Sequence, residues 1–236
     1  MSIRSLAESE YAAQTGGFAA SDVFKSLRSG KVAREVYDEF IARLCRTHLN
    51  SPQIVAFLYS LAPPQVAERI KHNLLEEMGH DAAGAAHPRL LLQLAKAAGF
   101  DQHECAELEA QSREELRHLA TDRILFGSLR EFGLTVLLEV TCFEWMLSRL
   151  ARPIADFLSK QCGLSPDALV WFTHHSEVDQ RHAEEGLDAV VEYVKYYEID
   201  EQDFRLISEI VFRENVFLKR YFGQAEVSRQ TLMLSL

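Results

Sequence analysis

Apolar residues recur three and four positions apart along most of the chain, the spacing that turns one face of an α-helix toward a core. Ser21 or Asp22 opens a short helix that Gly30 closes, and Val36, Phe40, Ile41, Leu44 and Leu49 predict a helix over 32–49. Ile54, Val55, Phe57, Leu58 and Leu61 predict the next, opened by Ser51-Pro52 and ended by Pro63-Pro64. A further helix runs from Gln65 to about Met78, and the Gly-, Ala- and Asp-rich stretch Gly79 to Ala86 reads as a loop. His87-Pro88 starts a helix that Gly99 stops, and the acidic stretch 101–120 predicts a surface helix. A long pattern from Leu134 to Leu158 follows, which Pro153 is expected to kink or divide. The segment from Pro166 to Tyr197 and a last helix from Glu201 to Phe222 complete the pattern.

Strand-like alternation, hairpin signals and internal repeats are missing, so the pattern predicts an all-α, single-domain bundle of seven or eight helices. Residues 1–20 are polar and mixed, and are expected as a partly ordered leader to a domain over 21–236. A chain of 236 residues can build one sizeable core, and its 47% apolar and 25% charged content is that of a globular protein.

A formal net charge of −10 argues against nucleic acid or an anionic membrane as partner, since both repel an acidic protein. No apolar run reaches the roughly 18 residues a membrane span needs. The N-terminus lacks a basic end followed by an apolar run, so no secretion signal is expected. Cys45, Cys105, Cys142 and Cys162 are widely separated, which predicts reduced thiols and a cytoplasmic protein.

Candidate chemistry centres on one run, His175-Ser176-Glu177-Val178-Asp179-Gln180-Arg181-His182. On a helix, His175, Asp179 and His182 fall within a stripe of about 60°, so two imidazoles and a carboxylate project together. Imidazole and carboxylate are the donors that iron and zinc accept. Val178, Ala183, Trp171, Phe172, Leu187 and Val190 make the segment apolar, unlike a solvated helix face.

Other ligands must come from other helices facing the same interior. Glu77 closes its helix; Glu144 lies within an apolar run from Leu137 to Leu147, where an unpaired carboxylate costs several kcal/mol to bury. Glu139 competes with Glu144, and both His80 and His87 follow Glu77 closely enough to join it. Two assemblies are open: Glu77-x-x-His80 with Asp179-x-x-His182, as in ferritin-like di-iron bundles, or Glu77 and His87 with Glu144, His175, Asp179 and His182.

The second order, Glu77, His87, Glu144, then His175-x-x-x-Asp179-x-x-His182, resembles the haem-oxygenase-like di-iron oxidases. These share their fold with CADD-like, PqqC-like and thiaminase II proteins. Supporting text is Asn73-Leu74-Leu75-Glu76-Glu77-Met78-Gly79, Trp171-Phe172-Thr173-His174-His175 and Asp179-Gln180-Arg181-His182-Ala183-Glu184-Glu185-Gly186. The resemblance implies a haem-oxygenase-like fold over about Phe24 to Phe222 and favours His87 over His80. It implies two non-haem Fe ions on six ligands, with a formal charge of roughly +1 as Fe(II), and O2 as co-substrate.

Further implications are an oxidation of a small molecule, by amine N-oxygenation or C–C cleavage of an amino or fatty acid, and a homodimer. Phe143, Trp145, Trp171, Phe172 and Tyr193 are candidate pocket walls, and Arg149 and Lys195 candidate partners of a substrate carboxylate. The resemblance also carries two rivals: a thiaminase II-like hydrolase using Cys142 as nucleophile, and a non-enzymatic, CADD-like interaction protein.

Overall fold

The computed structural model describes residues 2–80, 84–121, 126–224 and 226–227. Among them the chain forms eleven α-helices and one 3-10 turn, without strands. The helices are α1 (Ile3–Ala20), α2 (Asp22–Ser29), α3 (Arg34–His48), α4 (Ser51–Leu61), α5 (Ala67–Glu77), α6 (His87–Ala98), α7 (Gln102–Thr121), α8 (Leu129–Cys162), α9 (Val170–Tyr196), α10 (Glu201–Phe212) and α11 (Val216–Phe222). The 3-10 turn, Pro166–Leu169, leads into α9.

The spine is the pair α8 and α9. They run antiparallel, since Tyr193 near the end of α9 donates to the Arg130 carbonyl at the start of α8, and Gly186 lies beside Thr141. Pro153 does not divide the pattern into two elements: α8 runs unbroken through it as one helix of 34 residues. One proline removes a single backbone donor, and the buried stripe Ala151, Ile154, Ala155, Phe157 and Leu158 holds the following turns in place.

The first twenty residues depart from the expected leader. Ser2 caps α1, and Ala7, Tyr11, Gln14, Thr15 and Phe18, spaced as one helical stripe, are buried. Tyr11 pairs with Thr141 of α8 at 2.5 Å. The stripe escapes a hydropathy pattern because two of its five members are polar and Glu8, Glu10 and small residues lie between them. The end of the chain differs too: the helix expected over 201–222 breaks at Arg213–Asn215 into α10 and α11, with the Asn215 side chain capping α11 through the Leu218 N–H. The Gln14 side chain fills that break, donating to the Phe212 carbonyl at 3.0 Å and accepting from the Val216 N–H at 2.9 Å.

Candidate metal centre

Four elements bring acids and imidazoles to one cavity. The C-terminus of α5 supplies Glu77, the start of α6 supplies His87, α8 supplies Glu144, and α9 supplies His175, Asp179 and His182. All six line a cavity of about 180 Å3. Helix register explains the α9 set: spacings of four and three turn His175, Asp179 and His182 inward, and each is at least 95% buried.

Glu77 and His87 meet because the chain doubles back between them. Gly79 sits at φ 74°, and a Cβ there would lie 2.4 Å from the Ala86 amide nitrogen, so only glycine fits this approach. A second close approach, of α9 to α8, passes Gly186, whose Cβ would lie 2.8 Å from Thr141 Cγ2 and 3.5 Å from Glu144 Oε2.

Glu77, His87 and His175 form the tightest group, offering one ligand atom each, all within 4.8 Å of one another. His87 Nδ1 lies 3.1 Å from Glu77 Oε1, and Ser51 donates its hydroxyl to the other Glu77 oxygen. His175 donates from Nδ1 to the Trp171 carbonyl at 2.6 Å, which leaves the Nε2 lone pair to face a cation. Burial raises the Glu77 carboxyl, but its bonds to His87 and Ser51 outweigh that and hold it below the ordinary value. Burial, reinforced by His87, drives His175 well below its ordinary value. An ionised carboxylate beside a neutral imidazole is the protonation state that metal binding requires.

The other three face the same space differently. Burial pushes the Glu144 carboxyl up to about 8; the Asn73 amide donates to it at 2.5 Å, and no arginine or lysine pairs with it among the described residues. Burial raises Asp179 to about 6, against the pull of His182. His182 reaches Asp179 Oδ1 from Nδ1 at 3.3 Å and Glu76 Oε2 from Nε2 at 2.6 Å. These two carboxylates outweigh burial and lift His182 to about 10, so an imidazolium is held between them. Asp179 Oδ2 is buried without a hydrogen-bond partner.

An orphaned carboxylate oxygen on Asp179, a Glu144 without an arginine or lysine partner among the described residues and a trio of converging donors fit metal ions. Carboxylate and imidazole are the donors iron takes, and such acids are costly to keep buried uncompensated.

Glu139, the rival of Glu144, is paired instead with Arg220, both Nε and Nη2 lying 2.7 Å from Glu139 Oε1. His80 is exposed and does not line the cavity. Of the expected pocket walls, Phe143 and Trp171 line the cavity, while Trp145, Phe172 and Tyr193 pack elsewhere in the core. Lys195 is 77% exposed and Arg149 stacks on Trp145, so neither stands at the cavity. Cys142 is fully buried, its thiol raised by burial, and it does not line the cavity, which leaves the thiaminase-like reading without an exposed thiolate.

Sequence reasoning missed two residues. Glu76 is buried and accepts from Arg181 at 2.8 Å as well as facing His182; burial raises its carboxyl, but those cations bring it down to about 2. No pattern along the chain marks it, since Arg181 already has Glu185 one turn on in α9, at 3.9 Å. His48 lines the cavity with its ring 5.3 Å from Trp171, which lies 4.2 Å from His175. Tyr221, fully buried and with no other acceptor among the described residues, donates to His48 Nε2 at 2.8 Å.

A family model described as iron-containing redox enzyme, of the haem-oxygenase type, matches residues 38–208. The chain belongs to that family. The match contains all six candidate ligands of this iron-containing redox enzyme family member. Two solved structures share its fold. A domain of unknown function with a haem-oxygenase-like fold from Shewanella denitrificans OS217 superposes with a TM-score of 0.64 at 16% identity, covering 100% of this chain and 96% of its own. A CADD-like protein of unknown function from Nostoc punctiforme PCC 73102 gives a TM-score of 0.54 at 15% identity, covering 93% of this chain and 96% of its own. A search of curated proteins returns no match. No helix among the described residues is long and apolar enough to cross a membrane.

Proposed function

We propose that the protein is a non-haem di-iron oxidase or oxygenase that uses O2 to oxidise a small molecule. The observation that carries this is the convergence of Glu77, His87, Glu144, His175, Asp179 and His182 on one cavity, in a chain of an iron-containing redox family. Glu77, His87 and His175 would hold one iron, and Glu144, Asp179 and His182 the other. Two ferrous ions there would supply the electrons for reducing O2, and open coordination positions for it.

The chain's own residues do the positioning. The Trp171 carbonyl fixes the His175 ring, Ser51 and His87 hold Glu77, and Asn73 orients Glu144. Glu76, tied to Arg181, gives His182 an acceptor outside the ligand set, so Nδ1 or Nε2 can be freed when its proton leaves. Val140, Phe143 and Leu147 supply apolar wall that limits water around the reacting group.

The test is O2 uptake by the anaerobically Fe(II)-loaded chain, mixed with O2 in single turnover. The expected result is consumption of O2 in proportion to protein, abolished in Asp179→Ala. Uptake no faster than that of free Fe(II), or unchanged in Asp179→Ala, would overturn the proposal and favour a binding role instead.

A further inference from the structure

His48 stands on the cavity wall, yet the metal centre makes no use of it. It comes from the last turn of α3, and its ring is held from three sides. Tyr221 of α11 donates to Nε2 at 2.8 Å, and the Phe143 and Trp171 rings pack at 5.1 and 5.3 Å. A fully buried phenol with no other acceptor keeps that donor role, so Nε2 is the bare nitrogen. In the neutral ring, which burial favours, the proton then sits on Nδ1. Nδ1 has no partner among the described residues and is not sealed in by protein, so one N–H donor opens onto the cavity.

The surroundings limit what can meet that donor. Phe143 offers no acceptor, and the Trp171 indole N–H is itself buried without a partner. The wall is therefore short of acceptors beside His48. An ammonium only donates and leaves Nδ1 unmatched, and a hydroxyl brings a proton that these rings cannot take. An anion finds the guanidiniums of the wall already occupied, since Arg46 is paired with Glu39 and Arg220 with Glu139. A carbonyl oxygen accepts, and it carries neither a proton nor a net charge. At about 180 Å3 the cavity falls below the ~300–1,000 Å3 of sites that take drug-sized ligands, so the molecule that bears this oxygen is small.

We propose that His48 Nδ1–H, its tautomer set by Tyr221, is the recognition point for the carbonyl oxygen of a small uncharged substrate, a ketone or amide, whose apolar body lies against Phe143 and Trp171. This deepens the di-iron proposal by naming the substrate class, and it rests on that proposal only for the oxidation that follows. The hydrogen bond itself needs no metal.

Cyclohexanone is the probe, titrated into the metal-free full chain with its histidines labelled with nitrogen-15. Before ligand is added, the ring nitrogen signals of His48 are expected to report the Nδ1–H tautomer. Saturable binding is expected, with the Nδ1 signal moving as ketone is added. His48→Phe is expected to weaken binding about fivefold or more, and His48→Asn, which keeps an N–H near the place of Nδ1, to restore part of it. Tyr221→Phe is expected to mix the two tautomers and weaken binding about twofold or more. Cyclohexylammonium and cyclohexanecarboxylate are expected to bind about fivefold or more weakly than the ketone. An Nε2–H tautomer in the native chain, no saturable binding, unchanged binding in His48→Phe, or a charged analogue that binds as well as the ketone would each overturn the proposal. Circular dichroism reports whether His48→Phe folds; if it does not, the tautomer and the comparison of charged and uncharged probes decide. In the anaerobically Fe(II)-loaded chain the bound ketone's proton signals are expected to broaden. Binding without broadening would leave the His48 site standing and count against the di-iron reading, so the two proposals can fail separately.

Discussion

His80 and His87 are equivalent candidates in sequence and opposites in space: one exposed, the other 3% exposed and 3.1 Å from Glu77. His87→Ala is expected to lose iron at the Glu77 site, and His80→Ala to keep it, as read by iron analysis after anaerobic loading. His48 offers a second test at this scale. Burial lowers its pKa to about 4 from an ordinary value of 6.5. Between those values the unfolded chain binds the proton and the folded chain does not, so stability falls as pH drops from 6.5 toward 4. The loss assigned to this one group is roughly 1–3 kcal/mol. Urea denaturation across that range should show a shallower decline in His48→Gln than in the native chain; identical slopes would mean that His48 is already charged in the fold.

Among the elements, α1 shows what a hydropathy pattern leaves out. Its buried stripe includes Gln14 and Thr15, which read as surface until Gln14 is seen closing the break between α10 and α11. Gln14→Ala would leave the Phe212 carbonyl and the Val216 N–H buried without that partner, at a cost of about 2–4 kcal/mol. Chemical denaturation should record that loss, and a change below about 0.5 kcal/mol would mean that water replaces the amide freely. The helices over 34–48, 51–61 and 87–98 were legible because apolar periodicity and Pro or Gly punctuation agree there. Pro153 and the split near Arg213–Asn215 were not, because packing against α9 and α1 decides them.

For the whole molecule, α8 and α9 present Glu144 and the His175–Asp179–His182 stripe to a cavity that α5 and α6 complete with Glu77 and His87. The α9 stripe was legible from spacing alone, since three residues of one helix share a face whatever surrounds them. The choice of Glu144 over Glu139 was not, because it depends on Arg220, 81 residues further along the chain, taking up Glu139. Glu76 was hidden for a similar reason, its partners lying on α9.

Metal binding to the folded chain alone should also raise its stability, by mass action. Thermal unfolding in anaerobic Fe(II) is expected to shift upward in the native chain and much less in Glu144→Ala. The most direct test of the di-iron centre is equilibrium dialysis of the chain against Fe(II) without oxygen, with iron counted per chain. The native protein is expected to hold two irons, and Glu144→Ala one or none with its helical content kept. A native protein that holds one iron or fewer, or a Glu144→Ala protein that still holds two, would contradict the six-ligand site.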